Sequence, residues 1–262
     1  MMRRLAGPGF EAVGRETLDL AQPGTIRRLE ARDFQTLLVC AAWTDVDGAE
    51  ADESAATAVN ADGIAELAEV CRRRGALLVN YSTDYVFDGA GTSPYGVNHP
   101  RSPVNAYGRS KARGEELLEH SGCEYLLIRT SWVYAPTGKN FVRTIRSAAR
   151  ARPLLKVVND QRGRPTSADN LADVTLRLIE RHARGVYHVT DAGDCTWYEF
   201  AQEIVRLAGL STPVEPCTSA EFPRPAKRPA YSVLDISKTE KLVGPMTPWQ
   251  DALRDVMDRI AD

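Results

Sequence analysis

Residues 76–87 read ALLVNYSTDYVF. The apolar run Ala76-Leu77-Leu78-Val79 shows no alternation of polar and apolar residues, so it reads as a strand buried on both faces, the pattern of a parallel sheet. At its end the chain turns to hydroxyls and an acid, Tyr81-Ser82-Thr83-Asp84-Tyr85. The C-terminal end of a parallel strand is where such sheets bind ligands. Two more apolar runs fit the same reading, QTLLVCAA at 35–42 and EYLLIR at 124–129. Between them, residues 50–73 carry small and apolar residues at helical spacing. They close on Arg72-Arg73-Arg74-Gly75, a helix C-terminus. Residues 105–120 also read as a helix, after a polar loop from Asp88 to Pro103. Strands alternating with helices predict an α/β fold with a doubly wound parallel sheet.

From about residue 152 the texture changes. Strand-like pieces at 154–158 and 185–189 mix with helices near 168–182, 196–208 and 247–260, and a Pro-rich segment runs through 213–229. This pattern predicts a smaller C-terminal lobe laid on the first and partly interleaved with it.

Composition narrows the function classes. A chain of 262 residues can bury a core without disulfides. The formal net charge of −2 gives no basic excess for nucleic acid. The cysteines, Cys40, Cys71, Cys123, Cys195 and Cys217, are odd in number and lack C-x-x-C spacing. They read as reduced thiols, with Cys40 and Cys123 expected in the core. The four histidines make no ligand-spaced pair, so no metal site is expected from them. With no long apolar stretch and no signal-like start, a cytoplasmic protein away from membranes is expected.

The chemistry concentrates in Tyr107-Gly108-Arg109-Ser110-Lys111. Four residues apart on a helix puts Tyr107 and Lys111 on one face. A nearby ammonium favours the phenolate and lowers the tyrosine pKa, making it a usable acid or base near neutrality. In isolation this spacing is often only an exposed helix pair. Its place twenty-four residues after the hydroxyl-rich strand end strengthens the functional reading.

STDYVFDG at 82–89, YGRSK at 107–111, IRTSWVY at 128–134 and NDQRGRPTSA at 159–168 closely resemble the dTDP-4-dehydrorhamnose reductase family. AAWTDVDGAE at 41–50, VNADG at 59–63 and RPAYSVLD at 228–235 extend the likeness. The resemblance implies a Rossmann-like dinucleotide-binding domain over residues 1–151 and a substrate-binding lobe over 152–262. It implies reduction of the C4 ketone of a dTDP-4-keto-6-deoxy sugar by NADPH or NADH. Thr83, Tyr107 and Lys111 would be the catalytic trio. Tyr107 would donate the proton, Thr83 would hold the developing alkoxide, and Lys111 would lower the Tyr107 pKa and hold the nicotinamide ribose. Ala41, Ala42, Thr44, Asn60 and Ser82 would line the cofactor together with Tyr107 and Lys111, and Arg15, Asp19 and Leu20 would lie at its far end. Thr83, Asp84, Trp132, Asn140 and Arg228 would face the nucleotide sugar. The resemblance also permits Mg2+ and a homodimer.

Plainer readings stand beside some of these. Trp132 also reads as a core aromatic, and Asp160 and Gln161 as holders of a loop. Asp45 and Asp47 read as helix-cap or surface acids. Thr196 with Glu199 three residues on has the capping-box pattern.

The chain also departs from the family. Phosphates are usually cradled by a strand, a Gly-rich turn and a helix N-terminus. Here the early glycines are Gly7-Pro8-Gly9, with no apolar strand before them. Against the family, Met1–Ala6 reads as the tail of the first helix, Phe10–Gly14 as the second strand and Leu18-Asp19-Leu20 as the turn after it. About 15–20 residues, the size of a strand, turn and partial helix, are expected upstream. Cys40 and Tyr231 stand where Asn is usual. Two other readings remain open: a non-catalytic sugar-nucleotide-binding or regulatory subunit that has lost cofactor binding, and a sugar-nucleotide dehydratase or epimerase. Dehydratases of this class resemble a Thr-Asp-Glu run, which here is Thr83-Asp84-Tyr85.

Overall fold

The structure is a computed structural model that describes residues 9–260. Its central sheet has four strands, all parallel: β1 (Thr36–Val39), β2 (Leu77–Thr83), β3 (Tyr125–Thr130) and, in spatial order after these, the strand Gly185–His188. The register sets Thr83 opposite Thr130, so the hydroxyl-rich end of β2 lies at the C-terminal edge of the sheet.

Successive side chains on a strand point to opposite faces, and β2 shows it. Leu78 joins a core with Ile64, Leu67, Cys71, Leu118 and Leu127. Leu77 and Val79 join another with Leu126, Ile128, Leu171, Val174 and Leu178. Double-sided burial is why the sequence runs apolar without alternation. The first core is closed by helix Gly63–Arg74, which ends on Gly75 at φ 65°, and by the long helix Ala106–Glu119. The second core is closed by helix Ala168–Glu180.

The predicted helix over 50–73 is broken into pieces. Val46–Ala51 and Glu53–Thr57 are followed by a π-helical turn, Ala58–Asp62, before Gly63–Arg74. Asp52 separates the first two by accepting from Ala55 N. The π turn brings the Asn60 carbonyl against the long helix at Gly114. A Cβ at Gly114 would lie 2.0 Å from that oxygen. Close backbone approach therefore requires glycine there.

The later residues do two things. Gly185–His188 completes the central sheet. A separate core gathers Tyr134, Val142, Phe200, Ile204, Trp249 and Leu253, built around helices Phe141–Ala151, Trp197–Leu207 and Trp249–Met257 and the parallel pair Leu155–Val158 and Val214–Cys217.

Two expectations are corrected. Phe10–Gly14 is not a strand but irregular chain that enters a turn at Arg15–Thr17. A strand exists through its ladder. Here the Gly14 carbonyl instead accepts from the Thr17 and Leu18 amides, and β1 forms one edge of the sheet among the described residues. Cys40 is exposed while Cys123 is buried, because Cys40 lies just past the end of that edge strand. The reading of Met1–Ala6 falls outside the described residues.

Gly114→Ala is expected to cost about 1–3 kcal/mol, the range for overpacking a closed contact. Gly96→Ala, where an added Cβ meets nothing within 4 Å, should stay within about 0.5 kcal/mol. Urea unfolding of both variants checks the contrast.

Candidate active site

The long helix Ala106–Glu119 begins at Asn105, whose side chain accepts from Gly108 N at 2.7 Å and donates to Lys227 O at 2.8 Å. This cap ties the first turn, and with it Tyr107, to the C-terminal segment. Its outward neighbour Ala106 donates its amide to Glu50 Oε1 at 2.8 Å. Tyr107, Lys111 and Glu115 then follow at four-residue spacing along one face.

Lys111 is 4% exposed and donates from Nζ to the Tyr81 carbonyl at 2.7 Å. Burial pulls its pKa down to about 8, against the opposing pull of Glu115. Thr83 is buried at the end of β2. Its Oγ1 accepts from Tyr85 N and donates to Asp84 Oδ1, both at 3.1 Å. The Tyr107 phenol is hydrogen-bonded to Thr83 and raised to about 12, chiefly by burial, with the Asp84 charge adding to the rise. The expectation that Lys111 lowers the Tyr107 pKa is therefore not met in this structure: Nζ is committed to Tyr81 O, and desolvation dominates. Asp84 is 2% exposed. Burial raises its carboxyl to about 7, moderated by the Ser232 and Thr83 hydroxyls.

Behind this face lies a buried ionic network. Glu115 is fully buried and is gripped by Arg129 in a bidentate pair, Nε to Oε1 at 2.9 Å and Nη2 to Oε2 at 2.7 Å. Arg101 adds a bond at 3.1 Å. Burial opposes its charge, but Arg129 and Arg101 hold the carboxyl below its usual range. Arg129 also reaches Val97 O and faces the buried His188 ring. His188 falls to about 3 through burial and the Arg129 charge, and so is neutral. Ser82 is buried beside Glu115.

On the expected cofactor side, Ala41 and Thr44 are exposed and Ala42 is half-buried in the irregular segment after β1. Asn60, 1% exposed, secures that segment. It accepts from Trp43 N at 2.9 Å, donates to Trp43 O at 3.0 Å and donates to Ser110 Oγ at 3.0 Å. Arg15 is exposed in its turn and pairs with Asp19 at 3.1 Å. It does not end a strand. Leu20 is buried against Gly63, where it serves packing.

On the expected substrate side the outcomes differ. Arg228 donates to Asp47 Oδ1 at 2.5 Å and to Ala226 O at 2.7 Å, and lies against Tyr85. With Arg224 it holds the Asp47 carboxyl well below the ordinary range. Asn140 spends its amide locally: Oδ1 accepts from Arg143 N at 3.2 Å, and Nδ2 donates to Ala135 O at 2.9 Å. It is the N-cap of helix Phe141–Ala151. Trp132 packs against the second lobe's core with its backbone at φ 49°.

Several plainer readings fit the structure, but Asp47 is neither a cap nor a free surface acid, since Arg224 and Arg228 grip it. Asp45 caps helix Val46–Ala51. Thr196 and Glu199 form a capping box. Asp160 and Gln161 hold the loop at Ser219.

The structure thus brings together Thr83, Asp84, Tyr107 and Lys111, with Asn60 two hydrogen bonds from Tyr107 through Ser110. Arg15, Asp19 and Leu20 make a separate turn. Sequence reasoning missed Glu115, Arg129 and Ser232. Extending the Tyr107–Lys111 register by one more turn would have found Glu115; Arg129 and Ser232 left no local signal. Among the described residues no three His, Cys, Asp or Glu side chains gather as a metal site. No helix among them is long and apolar enough to cross a membrane.

The family model for the RmlD substrate binding domain matches residues 1–261. A dTDP-4-dehydrorhamnose reductase of Burkholderia thailandensis is 40% identical, over 92% of this chain and 87% of its own. A probable dTDP-4,6-dihydroxy-2-methyloxan-3-one 4-ketoreductase of Streptomyces antibioticus is 41% identical, over 99% of this chain and 90% of its own. The crystal structure of a dTDP-4-dehydrorhamnose reductase from Bacillus anthracis in complex with NADP superposes with a TM-score of 0.94 at 32% identity, covering 98% of this chain and 93% of the other.

A raised carboxyl has a consequence for stability. Asp84 is neutral in the fold at low pH at no cost, and burying its charge costs increasingly as pH rises from its unfolded pKa to about 7. Asp84→Asn stays neutral throughout. The Tm difference between variant and parent should therefore move in the variant's favour between about pH 4 and about pH 7. A difference that stays constant across that window would contradict the buried, raised carboxyl.

Proposed function

Since the chain belongs to the dTDP-4-dehydrorhamnose reductase family, we propose that it reduces the C4 ketone of dTDP-4-dehydro-L-rhamnose, or of a related dTDP-4-keto-6-deoxy sugar, at the expense of NADPH or NADH. The observation that carries this reading is the meeting of buried Thr83 and Lys111 with half-buried Tyr107 at the C-terminal edge of β2. Ala41 and Ala42 follow β1, which pairs with β2, and this reading gives them to the cofactor. The pyrophosphate end has no Gly-rich cradle among the described residues, and Arg15 is the residue this reading gives to a 2′-phosphate. The reading gives residues 152–262 to a substrate-binding lobe that works with Thr83, Asp84 and Trp132 from the first part of the chain, and it includes a cytoplasmic setting and a homodimer.

When bound, the reduced nicotinamide supplies hydride to C4. The chain's part is the proton. Tyr107, raised to about 12, is held as the phenol, the form that can give a proton to the ketone oxygen. Thr83 is held by Tyr85 N and Asp84; with Asp84 protonated, a state its raised pKa favours, the carboxyl can donate to Oγ1 and free the single Thr83 proton for charge developing on that oxygen. Lys111 keeps two N–H groups beyond the one given to Tyr81 O, available to ribose hydroxyls. A dehydratase would need a second acid where Tyr85 stands. Tyr85 instead packs edge-on against Tyr107, with ring centroids 5.9 Å apart.

Loss of nicotinamide absorbance with dTDP-4-dehydro-L-rhamnose tests the activity. Tyr107→Phe should lower kcat by about 10²–10⁴-fold while leaving sugar-nucleotide binding in place; full retention of turnover would sink the assignment. With Lys111 at about 8, kcat/KM should decline as pH rises through that value and the cation is lost. Lys111→Arg, charged throughout, should remove that decline even if its overall rate is lower.

A further inference from the structure

Trp132 lies two residues beyond Thr130, the register partner of Thr83. Its φ of 49° is one that bulky side chains avoid. Residues persist in such conformations when their surroundings over-determine them, and they cluster at binding sites. The surroundings here are specific. The Trp197 ring is stacked on Trp132 with centroids 3.5 Å apart and planes 10° from parallel. Gly163 approaches the same indole so closely that an added Cβ would lie 2.7 Å from Cε2. Gly163 pairs with Cys195 across a short antiparallel ladder, and Arg162 with Thr196. The capping box then fixes the first turn of the helix that opens on Trp197. Ladder and cap together leave Trp197 little freedom relative to Gly163.

The indole N–H of Trp43 donates to Asp45 O at 2.9 Å. That of Trp132 bonds to no acceptor among the described residues; the side chain is half-buried and this atom is not sealed from solvent. A tryptophan clamped on its rings with its donor left open is arranged to hold something at that donor.

We infer that Trp197 is a positioning residue for the sugar nucleotide: by stacking on Trp132 it holds that indole in its left-handed conformation, with Nε1–H turned to an oxygen of the bound substrate. The inference rests on the reductase reading for the identity of the ligand. It assigns to Trp197 and Gly163 a role beyond filling the second core.

The test uses the full chain and its Trp197→Ala, Trp197→Phe and Gly163→Ala variants. Steady-state reduction of dTDP-4-dehydro-L-rhamnose and calorimetric binding of dTDP-L-rhamnose are read together. Trp197→Ala should raise the sugar-nucleotide KM about tenfold, with the nicotinamide KM unchanged and kcat lowered less than about threefold. Gly163→Ala should do the same by pushing on the indole. Trp197→Phe, which keeps a ring in the stack, should lie between parent and Trp197→Ala. The circular-dichroism couplet of the paired indoles should vanish in both Trp197 variants. If Trp197→Ala does not fold, Trp197→Phe and Gly163→Ala carry the comparison. Folded variants with an unchanged sugar-nucleotide KM, or with both KM values raised alike, would overturn the inference. A parent that neither reduces nor binds a dTDP sugar would instead overturn the reductase reading.

Discussion

The buried pair of Glu115 and Arg129 is the contact on which the site depends. Glu115 is on the long helix and Arg129 is on β3, and both are removed from solvent. Breaking such a pair leaves an uncompensated buried charge, at a cost of about 3–5 kcal/mol. Its bidentate geometry also fixes direction. Because Tyr107, Lys111 and Glu115 share one face, anchoring Glu115 to the sheet sets the rotation of the whole helix. The phenol and the ammonium then meet the end of β2, where Thr83 and Tyr81 wait for them.

This anchoring explains the electrostatics. Arg129 and Arg101 hold Glu115 charged, and Glu115 in turn opposes the burial that pulls Lys111 toward neutrality. His188, pressed against Arg129, is forced neutral and closes the network without adding a charge. Carboxyl and phenol at the strand end move the other way. Asp84 and Tyr107 are both raised by burial, so both hold their protons more tightly than in water.

The second lobe contributes through contacts that cross the chain. Asp47, early in the sequence, is gripped by Arg224 and Arg228. Asn105 caps the catalytic helix while holding Lys227 O. Ser232 faces Asp84. The Pro-rich segment of residues 213–229 thus straps the lobe to the site.

What the sequence by itself determined was local and periodic. Strands 35–42, 76–80 and 124–129 and the helix over 105–120 were legible because double-sided burial leaves uninterrupted apolar runs and because a helix writes its face at four-residue spacing. That spacing named Tyr107 and Lys111, and the strand end named Thr83 and Asp84. The capping box at Thr196 was legible for the same reason: donor and acceptor lie within one turn. Tertiary structure decided the rest. Phe10–Gly14 carries strand-like residues, yet strand formation depends on a neighbour's ladder, which no local pattern supplies. Asn140, read as a ligand contact, also caps a helix, because the amide's partners lie in its own loop. Lys111 was expected to lower the Tyr107 pKa, but desolvation, a property of the packed interior, dominates the sum. Arg129, Ser232 and Trp197 reach the site only through folding, since the residues they touch are distant in the chain and hydrogen bonds and ring stacks depend on distance in space.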